Sequence, residues 1–187
     1  MGGEPVDIKP TFTYDDLRQM PEDGRRYELL DGEIVSSPAP KLRHQRIVTN
    51  VCLFLGRAKA AGHGQLFTAP TDVVFDPRVA AVEPDIVFIA RDRSEIMTED
   101  NIQGAPDLVV EVLSESTRRR DLGAKLRTYA RYGVRFYWVV DPEEDVVRVY
   151  EHAGEGFRPP VFLRADDTLA CPLFPEITAR VSECLSD

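Results

Sequence analysis

The sequence is short of sulfur, imidazole and positive charge. Its 187 residues include three cysteines and three histidines. Cys52, Cys171 and Cys184 are odd in number and far apart, which fits neither a disulfide framework nor a zinc ligand set and points to a reducing compartment. His44, His63 and His152 are as scattered, which argues against a zinc site. No run reaches the roughly 18 apolar residues of a membrane span. The N-terminus has neither the basic nor the apolar region of a secretion signal. A cytoplasmic protein is expected. There is no glycine-rich phosphate loop, no GxSxG elbow and no HExxH helix. Ser114 and Ser116 have no evident base beside them. Lys and Arg number 23 against 32 Asp and Glu, a net charge of −9. That deficit excludes a protein that coats nucleic acid by charge alone. It leaves open an enzyme that gathers carboxylates for a metal and touches DNA through a local basic patch.

Apolar residues make up 43% of the chain, enough to build a core without staples. Residues 1–10, with Gly2, Gly3, Pro5 and Pro10, read as a loose terminal segment. Residues 11–187 read as a single domain. Thr13 is a candidate N-cap for a short helix with Asp15 and Asp16 in its first turn. Tyr27 to Val35 reads as a hairpin turning at Asp31-Gly32. A long helix is expected from about Lys41 to Ala61, stopped by Gly62, with Val48, Val51, Cys52, Leu55 and Ala58 as its apolar stripe. His44 falls on that stripe, either as a core residue or as a ring turned into a site. Gln65 to Asp76 reads as one long strand or a bent pair. Arg91 to Gly104 reads as a polar, mobile connector with a helical turn at Thr98 to Asn101. Val146 to Leu163 reads as an outer hairpin, and the tail from Thr168 ends in a short helix.

The centre lies between residues 84 and 132. Pro84-Asp85 enters the strand Ile86-Val87-Phe88-Ile89. Pro106-Asp107 enters Leu108 to Leu113, which carries Glu111 between Val110 and Val112. Such runs read as strands buried on both faces. A carboxylate there costs several kcal/mol unless a cation or donors compensate it. The next helix, capped at Ser116 or Thr117 and ending at Gly133, has Leu122, Leu126, Tyr129 and Gly133 on its inner face. Lys125 lies about 60° and Asp121 about 100° from that centre, so both are expected on the boundary. From there Lys125 can reach a buried glutamate by snorkelling. Arg118-Arg119-Arg120 is the densest basic stretch, either a solvated helix face or a patch for nucleic acid.

Asp85 and Glu111 stand on strands expected to be neighbours. Paired carboxylates on adjacent strand ends suit Mg²⁺ or Mn²⁺. A cation so held can polarise a phosphoryl oxygen, and Lys125 can offset the charge that builds on phosphate. Glu28, Asp121 and His44 are candidates to extend the site. Asp107 shares strand parity with Glu111 but lies about 13 Å along the strand, so it ranks below Asp85.

These residues resemble the PD-(D/E)xK nuclease superfamily. More narrowly, the chain resembles the Uma family of restriction-endonuclease-like proteins. The resemblance rests on Tyr27 to Glu33, His44, Glu83-Pro84-Asp85, Pro106 to Ser114, and the run Asp121, Lys125, Tyr129, Gly133, Tyr137-Trp138 and Asp141-Pro142. It spans about residues 12–163. It implies an α/β (α+β) fold with a mixed central β-sheet flanked by helices. It also implies a Mg²⁺- or Mn²⁺-dependent endonuclease acting on DNA, with Asp85 and Glu111 as metal ligands and Lys125 as the catalytic lysine. Glu28 would match an extra acid from before the core, His44 an accessory residue. The superfamily lysine stands two residues after the acid, where this chain has Leu113, and Lys125 on the next helix is the expected replacement. The alternative is a nuclease fold that lost catalysis and serves as a binding or assembly module. The edge left by the outer hairpin suggests a homodimer.

Overall fold

The protein is described here from a computed structural model covering residues 11–186. The expected loose segment 1–10 lies outside the described residues. The chain forms α1 (Tyr14–Leu17), β1 (Arg26–Leu30), β2 (Glu33–Ser37), α2 (Leu42–Ala60), β3 (Gly64–Thr68), β4 (Val73–Asp76), β5 (Ala80–Val82) and β6 (Ile86–Ala90). A 3₁₀ turn (Arg91–Ile96), β7 (Ile102–Gln103) and β8 (Leu108–Val112) follow. Next come α3 (Arg118–Arg120), a π-helical turn (Asp121–Lys125), α4 (Leu126–Tyr132), β9 (Phe136–Asp141), β10 (Val146–Glu151) and β11 (Val161–Arg164). β12 (Thr168–Ala170), β13 (Thr178–Arg180) and α5 (Val181–Leu185) complete it.

The main sheet has six strands in the order β11-β10-β9-β8-β6-β3. Only β8 and β9 run parallel, joined by the crossover through α3 and α4. A second sheet of five strands runs β2-β1-β5-β4-β7. Strand alternation sends Ile86, Phe88, Val110 and Trp138 to one face of the main sheet, where they meet Ile47, Val51, Leu55 and Ala58 of α2. Val87, Val109 and Val139 point the other way and pack with Tyr129 and with Leu30, Val73 and Val82 of the second sheet. The main sheet is thus covered on both faces, which is why its central strands are apolar throughout.

Local signals act as expected at several points. Thr13 and Asp16 form a capping box on α1. Asp31 and Gly32 take positive φ, 51° and 78°, and bring Leu30 opposite Glu33. Gly62 ends α2 at φ 85°. Other expectations need correction. Gln65 to Asp76 is not one long strand but the pair, with β3 in the main sheet and β4 in the second sheet. The helical turn of the Arg91–Gly104 connector falls at Arg91–Ile96, and Thr98 to Asn101 closes a hydrogen-bonded loop instead. That connector is anchored: Asn101 donates to the Tyr14 hydroxyl, which donates to Asp72. The stripe of α2 also includes Ile47 and Phe54, while Cys52 is only half-buried.

Packing of α2 yields a paired test. Leu55 is fully buried and Leu53 is 70% exposed on the same helix. Leu55→Ala is expected to cost about 2–5 kcal/mol in denaturant unfolding, and Leu53→Ala within about 0.5 kcal/mol.

Candidate active site

β6 and β8 are antiparallel with Ile86 opposite Val110. One step outward, the register sets Asp85 opposite Glu111, on the face that carries Val87 and Val109. Both acids are 3% exposed. The Val112 N–H donates to Asp85 Oδ2 at 2.9 Å. Arg26, from β1, donates through Nη1 to Asp85 Oδ1 at 2.7 Å and sets its Nε 3.0 Å from Glu83. His44 Nε2 lies 3.0 Å from Asp85 Oδ2, so this residue of the α2 stripe faces the site.

Glu111 faces the opposite helix. Its Oε1 accepts from Lys125 Nζ at 2.7 Å and from the Tyr129 hydroxyl at 2.6 Å. The same ammonium is 2.7 Å from Glu28 Oε1 and 3.9 Å from Asp121 Oδ1. Glu28 Oε1 also accepts the Glu83 N–H. One cation therefore ties a strand of each sheet to the helix between β8 and β9.

The π-turn makes this possible. At about 100° per residue Asp121 would stand about 80° around the axis from Tyr129. The wider i→i+5 turn over Asp121–Lys125 removes most of that offset. The buried face becomes Asp121, Lys125, Thr128 and Tyr129, while Leu122 and Leu126 are half-buried. This corrects the regular-helix expectation, which put Leu122 and Leu126 inside and the two charged residues on the boundary.

The two principal acids titrate apart. Burial opposes ionisation of Asp85, but His44 and Arg26 outweigh it and hold the carboxyl down at about 2. Burial pushes Glu111 up to about 8; Lys125 pulls it down, and Asp121, Asp85 and Glu28 push it up. Lys125 is driven above its usual range, because Glu111, Glu28 and Asp121 outweigh its burial. One ammonium among three carboxylates stays charged and still leaves negative charge over.

Five acids (Glu28, Glu83, Asp85, Glu111 and Asp121) line the cavity here against Lys125, Arg26 and Arg120. Asp121 Oδ1 is buried and takes no hydrogen bond. An oxygen-only donor set with surplus negative charge fits a hard divalent cation. As the side chains stand, no three acid, His or Cys side chains among the described residues form a ready-made cage. Lys125 occupies the space between Glu28, Glu111 and Asp121.

The remaining candidates sit elsewhere. Arg118 contacts Asp141, Glu143 and Glu144. Arg119 is exposed, and Arg120 turns inward with Nε 3.6 Å from Glu28. Asp107, at the other end of β8, accepts from the Ala90 N–H, Arg93 and Arg135. Arg26 and Glu83 were not singled out from sequence. Each stands two residues before a site acid, Glu28 and Asp85, and that two-residue parity was the readable signal.

The mixed sheet, with the parallel pair β8 and β9 joined by a crossover helix, has the restriction-endonuclease-like fold. A solved structure from Anabaena variabilis ATCC 29413, described as a putative nuclease belonging to DUF820, shares the fold. It matches with a TM-score of 0.77 over 93% of this chain and 97% of its own, at 21% identity. No curated protein matches the chain. The family model of Uma2, described as "Putative restriction endonuclease", matches residues 14–182, and the chain belongs to that family.

The raised Glu111 carboxyl has a pH signature. Folded protein holds this proton where the unfolded chain has released it, so the Glu111 contribution to stability falls as pH rises from about 4.5 to about 8. Unfolding of the metal-free protein measured across that window is expected to show the decline, and Glu111→Gln to flatten it.

Proposed function

We propose that the protein is a metal-dependent endonuclease that hydrolyses phosphodiester bonds of DNA. The observation that carries this reading is the facing pair Asp85 and Glu111, with Lys125 at 2.7 Å from Glu111, inside a cluster holding more carboxylates than cations. Asp85 and Glu111 would hold Mg²⁺ or Mn²⁺, with Asp121 and Glu28 adding negative charge around it. When bound, the cation supplies a Lewis acid for the phosphoryl oxygen.

The chain's own residues have separable roles. Arg26 and His44 keep Asp85 ionised and fix its orientation. Tyr129 and Lys125 both bond Glu111 Oε1, which leaves Oε2 for a ligand. Lys125 is held protonated, so it serves as fixed positive charge against the charge that grows on phosphate, and not as a general base. Arg119, exposed beside the site, is a candidate contact to the backbone. Edge strand β11, with Val161 and Phe162 exposed, is the candidate dimer surface.

A second reading has its own observation. Lys125 already closes the Glu28–Glu111 gap as a buried ion pair, the arrangement expected of a nuclease fold kept for binding or assembly.

Calorimetry with Mn²⁺ and nicking of supercoiled plasmid, run on wild type and Glu111→Ala, separates the two. The nuclease reading predicts binding and nicking in wild type, with both lost in the mutant and the rate down by at least about 10²-fold. Binding that persists in the mutant moves the site elsewhere. A wild type that binds no Mn²⁺ leaves the non-catalytic module.

A further inference from the structure

We infer that the substrate enters as a single polynucleotide strand threaded along α2, and not as an intact duplex. The inference rests on the nuclease reading and narrows its substrate class.

Asp85, Glu111 and Lys125 are each 3% exposed, so a substrate phosphate meets them only through the cavity that leads to them. The cavity at the acids measures about 20 Å³, space for a water or an ion.

Arg26, Ser37, His44 and Thr117 line both this cavity and a cleft of about 680 Å³. Arg26 and Asp85 line both it and a smaller groove of about 240 Å³. α2 runs beside both spaces, giving His44 to the cleft and Gln45 and Thr49 to the groove. A strand laid along α2 sets one phosphate at the mouth of that cavity, beside Arg26 and His44, with room for flanking nucleotides in the cleft and the groove. The larger cleft falls within the size range of small-molecule pockets, too small for a double helix.

Pro38, Ala39, Pro40 and Leu113 offer apolar surface to a sugar and base. Ser114 and Ser116 offer hydroxyls opposite them. Besides Arg26, which is engaged with Asp85 and Glu83, the cations lining this cleft are Lys41 and Arg43; Glu115 and Glu143 line it too, and Arg43 lies 3.8 Å from Asp145. Two phosphate contacts suit a short single strand and give a shallow salt dependence, with a slope of about −1.4 in log K against log salt. A duplex footprint held by charge would need several more cations and would be steeper.

The test is fluorescence anisotropy in chelator, with a short labelled single strand and the blunt duplex of the same sequence, each as DNA and as RNA. Mn²⁺-dependent cleavage is run on the same substrates. Single strand is expected to bind at least about tenfold tighter than duplex. Ala39→Leu, which narrows the cleft from an exposed position and offers no ring for a base to stack on, is expected to lower single-strand affinity by about tenfold while leaving Mn²⁺ calorimetry unchanged. Arg43→Glu is expected to reduce the salt slope by about 0.7. Duplex binding equal to or tighter than single-strand binding, or unaltered or tighter single-strand binding in Ala39→Leu, overturns the inference. Mn²⁺ binding with cleavage of duplex alone would overturn threading and leave the nuclease reading standing. Preference for the single strand without Mn²⁺ binding or cleavage would uphold threading and overturn the nuclease reading.

Discussion

The ammonium of Lys125, held among Glu28, Glu111 and Asp121, is the interaction on which the rest of the site depends. Three carboxylates this deeply buried would repel one another and resist ionisation without it. Removing one partner of such a buried pair costs about 3–5 kcal/mol in comparable cases. Here the partner also has architectural reach, since Glu28 belongs to the second sheet, Glu111 to the main sheet and Lys125 to the crossover. The charge cluster fixes how these three elements meet at the open end of β6 and β8.

Asymmetry follows from that arrangement. Asp85 stands opposite Glu111 in the register, yet its surroundings differ: Arg26, His44 and a backbone N–H surround the first, while one shared ammonium and three other acids surround the second. Two like groups at adjoining ends of β6 and β8 are driven to about 2 and about 8. Environments that push paired titratable groups apart are a mark of sites built for chemistry, although structural ion pairs do the same. The surplus of negative charge is the feature that a purely structural cluster does not need.

Much of this was legible in the sequence because the signals are local. Asp31-Gly32, Gly62 and Thr13 act within a few residues, and the apolar runs around Val87, Val110 and Val139 have the period of buried strands. Asp85 and Glu111 were readable as carboxylates where carboxylates are costly. The π-turn was not readable, because period counting assumes one residue step throughout the helix; it goes with Lys125 reaching Glu28 and Glu111 and with the Asp121 carbonyl accepting from Tyr137, contacts that lie outside the helix. The short strands β5, β7, β12 and β13 were missed for the same reason. With two or three residues each, they are defined by their neighbours and not by their own pattern. Arg26 escaped notice because its partner Asp85 is a strand of the other sheet away.

The central claim is that one buried positive charge holds the acids together and that a divalent cation can take over its work. Thermal unfolding of Lys125→Met beside wild type, in chelator and in Mn²⁺, tests this most directly. Met keeps the length of the side chain and removes the charge. The account predicts a mutant melting well below wild type in chelator, and a Mn²⁺-induced rise larger in the mutant than in wild type. A mutant that melts with wild type in chelator, or one that Mn²⁺ fails to stabilise, would contradict it.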